Sequence, residues 1–363
     1  KGSDSEWHKW LDALPRYYSN AVAMTEFCLT CLPPLMKKLA VEERDAQKLL
    51  SYDSIRSVPF LADDIKEGFP RDMVTWAYQI VYTRSVETED GDLKIIPMGD
   101  FFDHASDYAE IVPQYDEAGN YYAVTAYDVP AGKKLRYIYS NPRNPSHLLA
   151  RYGFIDEICP ATYCKLLPPT VNEEMIELGY SQEKMLFYRS GEVADEVWDI
   201  FLYTHLSSVS LEDQQLLMQA HRTGDAATKL ALHDKYYHAT SAALLDHVDG
   251  FIEDIDRLIK KAQTIGVDDV DSIYIRNEHP RLPLIHKHNL FLRETFQNVR
   301  DRYASAAMGG EGVNWKEATK VLVEECDETE CSIAECIQVA EDEWSCEGGL
   351  GDRPKSQQVI LAE

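Results

Sequence analysis

Two stretches near the middle of the chain decide its fold: Asp128-Val-Pro-Ala-Gly-Lys-Lys-Leu-Arg-Tyr-Ile-Tyr139 and Arg151-Tyr-Gly-Phe-Ile155. The first joins a turn to a short strand, because Pro and Gly favour turns while aromatic and branched residues favour strands. This pattern predicts that Tyr139 ends a strand, inside a β-rich and irregular region over about residues 93–158. A lone tyrosine at a strand end is most often a packing residue, so a functional role for Tyr139 can be inferred only from the motifs around it.

Helical periodicity flanks this β-rich region on both sides. Before it, apolar residues from Met73 to Val81 repeat at three and four positions, which predicts a helix over 70–82. After about residue 168 the patterns become long and helical, and the most sustained one runs from Leu244 to Ile259 with Gly266 as its C-cap. The sequence therefore predicts an α+β fold, with a β-rich core that carries a helical insert, followed by an all-helical C-terminal domain.

Composition limits the classes of function. The chain has 363 residues and a net charge of −26, and it contains no run of about 18 apolar residues. This length allows two domains, each with its own core. The acidic charge argues against nucleic acid as a partner, since phosphate binding needs a basic patch, and it is compatible with a basic protein substrate. We expect no membrane-spanning segment and a reducing intracellular compartment.

Three groups of potential metal ligands occur, and none has the spacing of a metal site. The pair in Cys28-Leu-Thr-Cys31 lies in an apolar stretch, which favours buried thiols over a redox or zinc pair. The cysteines at 326, 331 and 336 recur every five residues in an acidic segment, which matches no ligand set. His233 and His238 are also five positions apart, which favours solvated surface. The sequence therefore predicts no metal centre.

The order and spacing of the central motifs resemble the SET methyltransferase domain, in the branch typified by the Rubisco large-subunit lysine methyltransferase and the actin-histidine methyltransferase. The resemblance rests on the V-x-A-G turn before Tyr139, on a Y-G-F motif 13 positions after it (152 − 139), and on the upstream stretch Ile96-Pro-Met-Gly-Asp-Phe-Phe-Asp-His104. It covers roughly residues 5–305. It implies a helical insert of the SET domain over 1–92, the C-terminal part of the SET core over 93–160, a helical substrate-binding domain over 161–308 and an acidic, partly disordered tail over 309–363.

The resemblance also implies roles for individual residues. Tyr139 corresponds to the catalytic tyrosine, whose hydroxyl lies beside both the methyl donor and the acceptor nitrogen. Tyr137, Tyr152 and Phe154 correspond to the walls of the narrow channel that the acceptor side chain enters, and Phe154 also contacts the donor. These aromatic residues would exclude water from the reacting atoms.

Donor binding is implied for three further residues. Arg84 ends a helix and corresponds to the arginine that holds the donor's carboxylate, a task suited to a guanidinium because it offers two parallel hydrogen bonds. His104 corresponds to the histidine that packs at the adenine side. Asp103 stands where the family has asparagine, and since a carboxylate only accepts hydrogen bonds, this change predicts weaker donor affinity. The family's first glycine-rich strand, whose backbone holds the donor, would lie before residue 1, and no stretch at the start of this sequence supplies it. This is a second reason to expect that the chain binds the donor poorly.

The function that follows from the resemblance is transfer of a methyl group from S-adenosyl-L-methionine to a nitrogen of a protein side chain. Lysine is the expected acceptor and histidine the alternative. A second hypothesis is a SET-like scaffold that binds a protein without catalysis, in which Asp103 marks a lost donor site. The compartment stays open between cytoplasm, plastid and nucleus, as do the substrate protein, the degree of methylation and the oligomeric state.

Overall fold

The computed structural model describes residues 4–57, 59, 71–87, 92–116, 119–139, 145–163, 171–181, 184–269 and 272–308. The predicted tail over 309–363, with the cysteines at 326, 331 and 336, lies outside the described residues. The observed helices and strands are those of an α+β chain, so the predicted fold class is confirmed. The domain boundaries drawn from the sequence stay predictions.

Helices dominate the described chain. They are α1 (His8–Ala13), α2 (Glu26–Thr30), α3 (Pro34–Ser57), α4 (Arg71–Arg84), α5 (Pro145–Tyr152), α6 (Glu173–Glu177), α7 (Asp195–Val209), α8 (Leu211–Thr223), α9 (Ala226–Gln263), α10 (Ile273–Glu278) and α11 (Leu282–Ala307). Two 3-10 turns lie at Ala21–Ala23 and Gly99–Phe101. Helix α4 confirms the helix predicted over 70–82. Within the described ranges, no helix combines the length and the apolar character that crossing a membrane requires.

Short strands occupy the region between α4 and α7. They are β1 (Ser85–Glu87), β2 (Leu93–Ile95), β3 (Asp103–His104), β4 (Ile111–Tyr115), β5 (Tyr121–Thr125), β6 (Arg136–Tyr137), β7 (Ala161–Tyr163) and β8 (Leu186–Tyr188). The pairs β1–β2, β4–β5 and β7–β8 are antiparallel, whereas β3 and β6 run parallel. The strand predicted to end at Tyr139 ends at Tyr137 instead, because its partner β3 pairs over only two residues.

Side-chain oxygens define where several helices begin. Thr25 caps α2, Asn172 caps α6, and Ser210 caps α8, each by accepting a hydrogen bond from a backbone N–H in the first turn. Such caps satisfy amide groups that have no partner inside the helix. Helix α8 ends at Gly224, whose φ of 70° lies in the left-handed region that glycine adopts without strain.

Two cores hold the chain together. The larger one lies among α7, α8, α9 and α11, and its largest buried side chains include Phe187, Trp198 and Phe296. The second core joins the N-terminal helices to the C-terminal ones, since Leu29 of α2 and Met36 of α3 belong to the same cluster as Leu149, Leu282 and Ile285. Helix α5, which leads into Tyr152, is therefore packed between the N-terminal and C-terminal parts of the chain.

The cysteine pair predicted to be buried is buried. Cys28 and Cys31 are fully enclosed in the second core and are free thiols. Their position confirms the packing interpretation, because a thiol without a partner behaves as a small apolar group.

The interpretation of His233 as solvated surface was wrong. Helix α9 begins at Ala226, well before the repeat that predicted it, and carries His233 into the protein, where it is 2% exposed. Its Nε2 lies 2.8 Å from Oδ1 of Asp199, and Oδ2 of the same carboxylate accepts a hydrogen bond from Lys229 at 2.5 Å. His238, five positions later, donates from Nδ1 to the carbonyl of Ala306 at 3.0 Å. Both histidines join α9 to neighbouring helices.

Candidate active site

The parallel pairing of β3 with β6 brings the two central motifs together. His104 lies opposite Tyr137, and the N–H of Ala105 donates to the Tyr137 carbonyl at 3.0 Å. Two residues after this pair, the backbone N–H of Tyr139 donates to Nδ1 of His104 at 3.1 Å. The motif ending at His104 and the motif ending at Tyr139 therefore meet in one place.

Tyr139 lies inside a cluster of aromatic rings. Its ring centroid is 4.9 Å from that of Tyr137, 5.3 Å from Tyr152 and 6.2 Å from Phe154. The imidazole of His104 lies 5.3 Å from the Tyr139 ring and 5.7 Å from the Phe154 ring. The structure thus assembles the four aromatic residues named from the sequence, each partly buried, and the buried His104 into a single site.

His104 is a neutral imidazole in this site. Burial lowers its pKa from the usual value to about 4, so the ring carries no charge near neutral pH. A backbone N–H can only donate, so the bond from Tyr139 makes Nδ1 an acceptor and places the proton on Nε2. That proton is donated to Oγ of Ser106, 2.9 Å away. His104 therefore fixes the backbone of Tyr139 without adding charge.

The hydroxyl of Tyr139 is also held. It donates to the backbone carbonyl of Phe102. Burial raises the pKa of this phenol, the nearby carboxylate of Asp103 raises it further, and the guanidinium of Arg84 lowers it. Tyr139 is therefore a neutral phenol at physiological pH, with lone pairs on its oxygen that are free to accept.

Arg84 lies at the C-terminal end of α4 and is already engaged by a carboxylate of the same chain. Its Nη1 donates to the Asp100 carbonyl at 2.7 Å and to the Asp100 carboxylate at 3.0 Å. The Asp100 side chain is fully buried and also accepts from Nε1 of Trp10 at 3.2 Å. Arg84 binds Asp100, and the Tyr139 hydroxyl binds Phe102 two residues later, so the short segment from Asp100 to Phe102 connects the two side chains.

Asp103 has a different environment from its neighbour His104. Its side chain is 58% exposed and pairs with Nζ of Lys134 at 2.9 Å. This position follows from the alternation of side chains along β3, in which His104 faces the interior. Asp103 still influences Tyr139 through space, and its predicted contact with a donor stays a prediction.

The wall formed by Tyr152 and Phe154 depends on a close backbone contact. Gly153 has a φ of 78°, and a Cβ at this residue would lie 2.4 Å from the backbone nitrogen of Asn20. Asn20 is buried, and its amide nitrogen donates to Gln79 Oε1 at 2.6 Å and to the Arg151 carbonyl at 3.0 Å. Only glycine allows the chain to approach this closely, so Gly153 sets the position of the two aromatic residues beside it.

Several residues of the site had no signal in the sequence. Asp100 and Phe102 lie inside the stretch that was singled out, yet their roles depend on bonds made by other elements. Trp10 and Asn20 come from the N-terminal region, more than 50 positions from their partners. Such contacts are set by the packing of α1 to α4, which no local pattern describes.

Comparison with known proteins supports the fold. No known family profile matches the sequence, and no curated protein matches it either. Among solved structures, the SET domain of LSMT bound to lysine and AdoHcy is 15% identical, with a TM-score of 0.56 over 92% of this chain and 79% of that one. Rubisco LSMT bound to sinefungin and monomethyllysine is 16% identical, with a TM-score of 0.56 over 92% and 78%.

A third solved structure, Rubisco LSMT bound to AdoMet, is 16% identical and covers 92% of this chain and 78% of its own, with a TM-score of 0.53. At such identities the likeness bears on the fold and not on the activity. It agrees with the motif order around Tyr139 and with the α+β architecture. The chain therefore has the SET-domain fold of the Rubisco LSMT type.

Proposed function

We propose that this chain is an S-adenosyl-L-methionine-dependent protein N-methyltransferase that acts on a lysine side chain. The observation that carries the proposal is the packing of Tyr139 against three aromatic residues and a neutral imidazole. Arg84 binds Asp100, two residues before the Phe102 that the Tyr139 hydroxyl contacts. The fold is shared with LSMT structures that contain AdoMet, AdoHcy, lysine and monomethyllysine.

The residues present suit such a donor. When bound, S-adenosyl-L-methionine supplies a methyl group on a positively charged sulfur, which needs no further activation. Arg84 would hold the carboxylate, since its guanidinium is 19% exposed and its Nε has no hydrogen-bond partner among the described residues. His104 and Phe154 would offer apolar ring faces to the adenine side. Asp103 would lie beside the donor as a polar residue whose carboxylate can accept hydrogen bonds.

The main tasks of the protein are to align the acceptor nitrogen with the methyl group and the sulfur, and to exclude water from them. The acceptor nitrogen forms a bond to the methyl carbon while the carbon–sulfur bond breaks, and the nitrogen later loses a proton to solvent. Tyr139 is a neutral phenol, so its oxygen can accept a weak hydrogen bond from the polarised methyl group or from the amine. Tyr137, Tyr152 and Phe154 would guide a long, unbranched side chain toward that oxygen.

A lysine must be deprotonated before it can attack, because an ammonium ion has no lone pair. The aromatic channel favours the neutral amine over the ammonium, since burial disfavours the charged form. We therefore expect the rate to rise as the pH increases from about 7 to about 9.

A second candidate function is a protein-binding scaffold without catalysis, and two observations favour it. Arg84 already pairs with the buried carboxylate of Asp100, and Asp103 faces solvent and pairs with Lys134. A donor carboxylate would have to share Arg84 with Asp100. The scaffold should bind its partner regardless of whether the donor is present.

Labelled methyl transfer separates the two functions. The protein would be incubated with S-adenosyl-L-methionine carrying a tritiated methyl group and with cell lysate, and modified bands would be analysed by mass spectrometry. We expect label on lysine, and label on histidine instead would revise the acceptor. Label no greater than that seen with heat-denatured protein would reject the enzyme and leave the scaffold.

A further inference from the structure

Arg151, in the last turn of α5, lies against the aromatic wall of the candidate active site. Its guanidinium carbon is 5.4 Å from the ring centroid of Tyr152 and 4.6 Å from that of Tyr82 in α4. The Tyr152 ring lies in turn 5.3 Å from the Tyr139 ring. The guanidinium therefore contacts two aromatic rings, and one of them joins it to the cluster around Tyr139.

The positive charge of Arg151 lacks the anionic partner that a buried charge usually has. Its Nε is buried and makes no hydrogen bond to a described residue, and its Nη2 donates at 3.3 Å to the neutral backbone carbonyl of Tyr82. The carboxylate that acts on Arg151 is that of Glu43 in α3, which accepts a hydrogen bond from the Tyr82 hydroxyl at 2.6 Å. Aromatic faces, and no ion pair within the described ranges, therefore hold the guanidinium in place.

Most titratable groups near this guanidinium are uncharged at neutral pH. Burial raises the pKa of the Tyr82 and Tyr152 phenols and lowers that of His147, in the same helix, to about 4. Tyr78, whose ring stacks on that of Tyr82 with 5.8 Å between the centroids, adds a further phenol. The carboxylate of Glu43 and the guanidinium are therefore the charges of this cluster between about pH 7 and pH 9.

A cation at this position acts against a second cation in the acceptor channel. Tyr152 is one of the residues assigned to the channel wall, so an acceptor that touches its ring comes near the guanidinium of Arg151. Like charges repel more strongly beside buried groups than in water, which disfavours an ammonium there. The neutral amine meets no such repulsion, and it is also the form that has a lone pair for attack.

We propose that Arg151 selects the neutral amine, because its charge beside the Tyr152 ring keeps a protonated acceptor out of the channel. This inference rests on the proposed function and deepens it, since it names the protonation state in which the acceptor is bound. Arg151 acts as a specificity residue with no contact to the reacting atoms. The acceptor releases its proton to solvent before it enters.

The test is the pH profile of methyl transfer, measured as the initial rate of tritium incorporation into the modified band of the lysate. The quantity compared is the pH at which the rate is half-maximal. Arg151→Gln removes the charge and keeps a planar polar group, and it should raise the half-maximal pH by about one pH unit. Arg151→Lys keeps the charge and loses the planar contact, so it should lower the rate while the half-maximal pH stays that of the wild type.

A second variant should shift the profile in the opposite direction. Glu43→Gln removes the anion near Arg151, while its amide oxygen can still accept from the Tyr82 hydroxyl, so the half-maximal pH should fall. Loss of packing alone would lower the rates without such opposite shifts. Arg16→Gln is the matched control, because Arg16 also contacts an aromatic ring, at 5.5 Å from the Trp76 centroid, but its side chain is 53% exposed. It should leave the profile unchanged.

The outcomes separate this inference from the proposed function. An unchanged half-maximal pH in Arg151→Gln, or in Glu43→Gln where Arg151→Gln does not fold, would overturn the inference alone, provided that the wild type transfers label. Absence of label with the wild type would overturn the proposed function and the inference with it.

Discussion

At the scale of single residues, the site is a set of neutral groups arranged around one phenol. Tyr139 is fixed through its backbone by His104 and through its hydroxyl by the Phe102 carbonyl. The pKa shifts of both side chains favour the uncharged form, since burial disfavours ionisation. Of the fixed charges around Tyr139, Arg84 and Asp100 compensate each other, and Asp103 pairs with Lys134. Such a site suits transfer of a group that already carries its own positive charge.

The first prediction concerns the Tyr139 hydroxyl. Tyr139→Phe should lower the single-turnover rate of methyl transfer by about a hundredfold, because one oriented polar group at the reacting atoms is lost. Affinity for S-adenosylhomocysteine should stay within about twofold of the wild type. Tyr122→Phe, on the exposed hairpin, is the matched control and should behave like the wild type. Wild-type turnover by Tyr139→Phe would contradict the assigned role.

The sequence predicted this part of the molecule through motifs whose residues are close in the chain. Tyr137, Tyr139, Tyr152 and Phe154 lie within 18 positions of one another (154 − 137 + 1), and the structure brings them into ring contact. The engagement of Arg84 by Asp100 was missed, because an ion pair between two separate stretches leaves no mark in the spacing of either one.

At the scale of elements, helix α5 is the piece that positions the aromatic wall. Its first turn is tied to α11, because Oγ of Ser146 lies 3.0 Å from Nε2 of His288. Its last residue is Tyr152, and the chain then turns through Gly153 against the segment around Asn20. Both ends of a short helix are therefore anchored to other elements.

The second prediction concerns Gly153. Gly153→Ala should destabilise the fold by at least about 3 kcal/mol, because a Cβ meets backbone atoms and the positive φ disfavours any side chain. Gly224→Ala isolates the effect of the positive φ, because Gly224 has a φ of 70° and open space where a Cβ would lie. This substitution should lower the free energy of unfolding by about 1 kcal/mol. Gly250→Ala, inside α9, should gain about 0.5–1 kcal/mol. Urea unfolding measures all three, and equal effects at Gly153 and Gly224 would contradict the close approach.

The third prediction is a loss of stability in acid. Burial lowers the pKa of His288 to about 4, whereas in the unfolded chain it is about 6.5. As the pH falls from 6.5 toward 4, His288 is protonated in the unfolded state but stays neutral in the folded state. This difference lowers the free energy of unfolding by about 2 kcal/mol at pH 5 and does not change it above pH 7.5. Urea unfolding at pH 7.5 and pH 5 measures the difference.

The matched variant for this prediction is His288→Gln, which keeps a polar group near Ser146 but does not titrate. We expect it to be less stable than the wild type at pH 7.5, and its decrease between pH 7.5 and pH 5 should be smaller by about 2 kcal/mol. The decrease that remains would come from the other histidines whose pKa burial lowers, which are His104 and His147, both to about 4, and His247. An identical decrease in both proteins would show that His288 is not buried in its neutral form.

At the scale of the whole molecule, the second core links the N-terminal helices to the C-terminal ones. Leu29 and Met36 share it with Leu282 and Ile285, so neither part can unfold without exposing the other. Helix α5 and the aromatic wall lie between them. This arrangement predicts that the site and the helical region lose their structure together.

The fourth prediction tests that coupling. Leu282→Ala should destabilise the protein by about 2–5 kcal/mol, as expected for a fully buried leucine, whereas Leu290→Ala on the exposed side of the same helix should cost less than about 1 kcal/mol. In Leu282→Ala, hydrogen exchange should rise both in α3 and in α11. Faster exchange confined to α11 would show that the two parts unfold independently.

The overall architecture could be predicted from the sequence, but the extent of its elements could not. Helix α4 and the β-rich region that contains β4 and β5 agree with their patterns, because local periodicity and turn residues determine them. Helix α9 begins at Ala226, earlier than its apolar repeat, since its first turns are stabilised by buried polar contacts such as His233 with Asp199. A pattern of apolar residues does not detect that kind of stabilisation.

Binding of a methyl donor beside Tyr139 can be tested by a crystal structure of the protein with S-adenosylhomocysteine. We predict that the amino-acid end of the ligand contacts Arg84, that its rings contact His104 and Phe154, and that its sulfur faces the hydroxyl of Tyr139. A ligand bound elsewhere on the molecule, with the Tyr139 cluster unchanged, would show that this cluster is not the donor site.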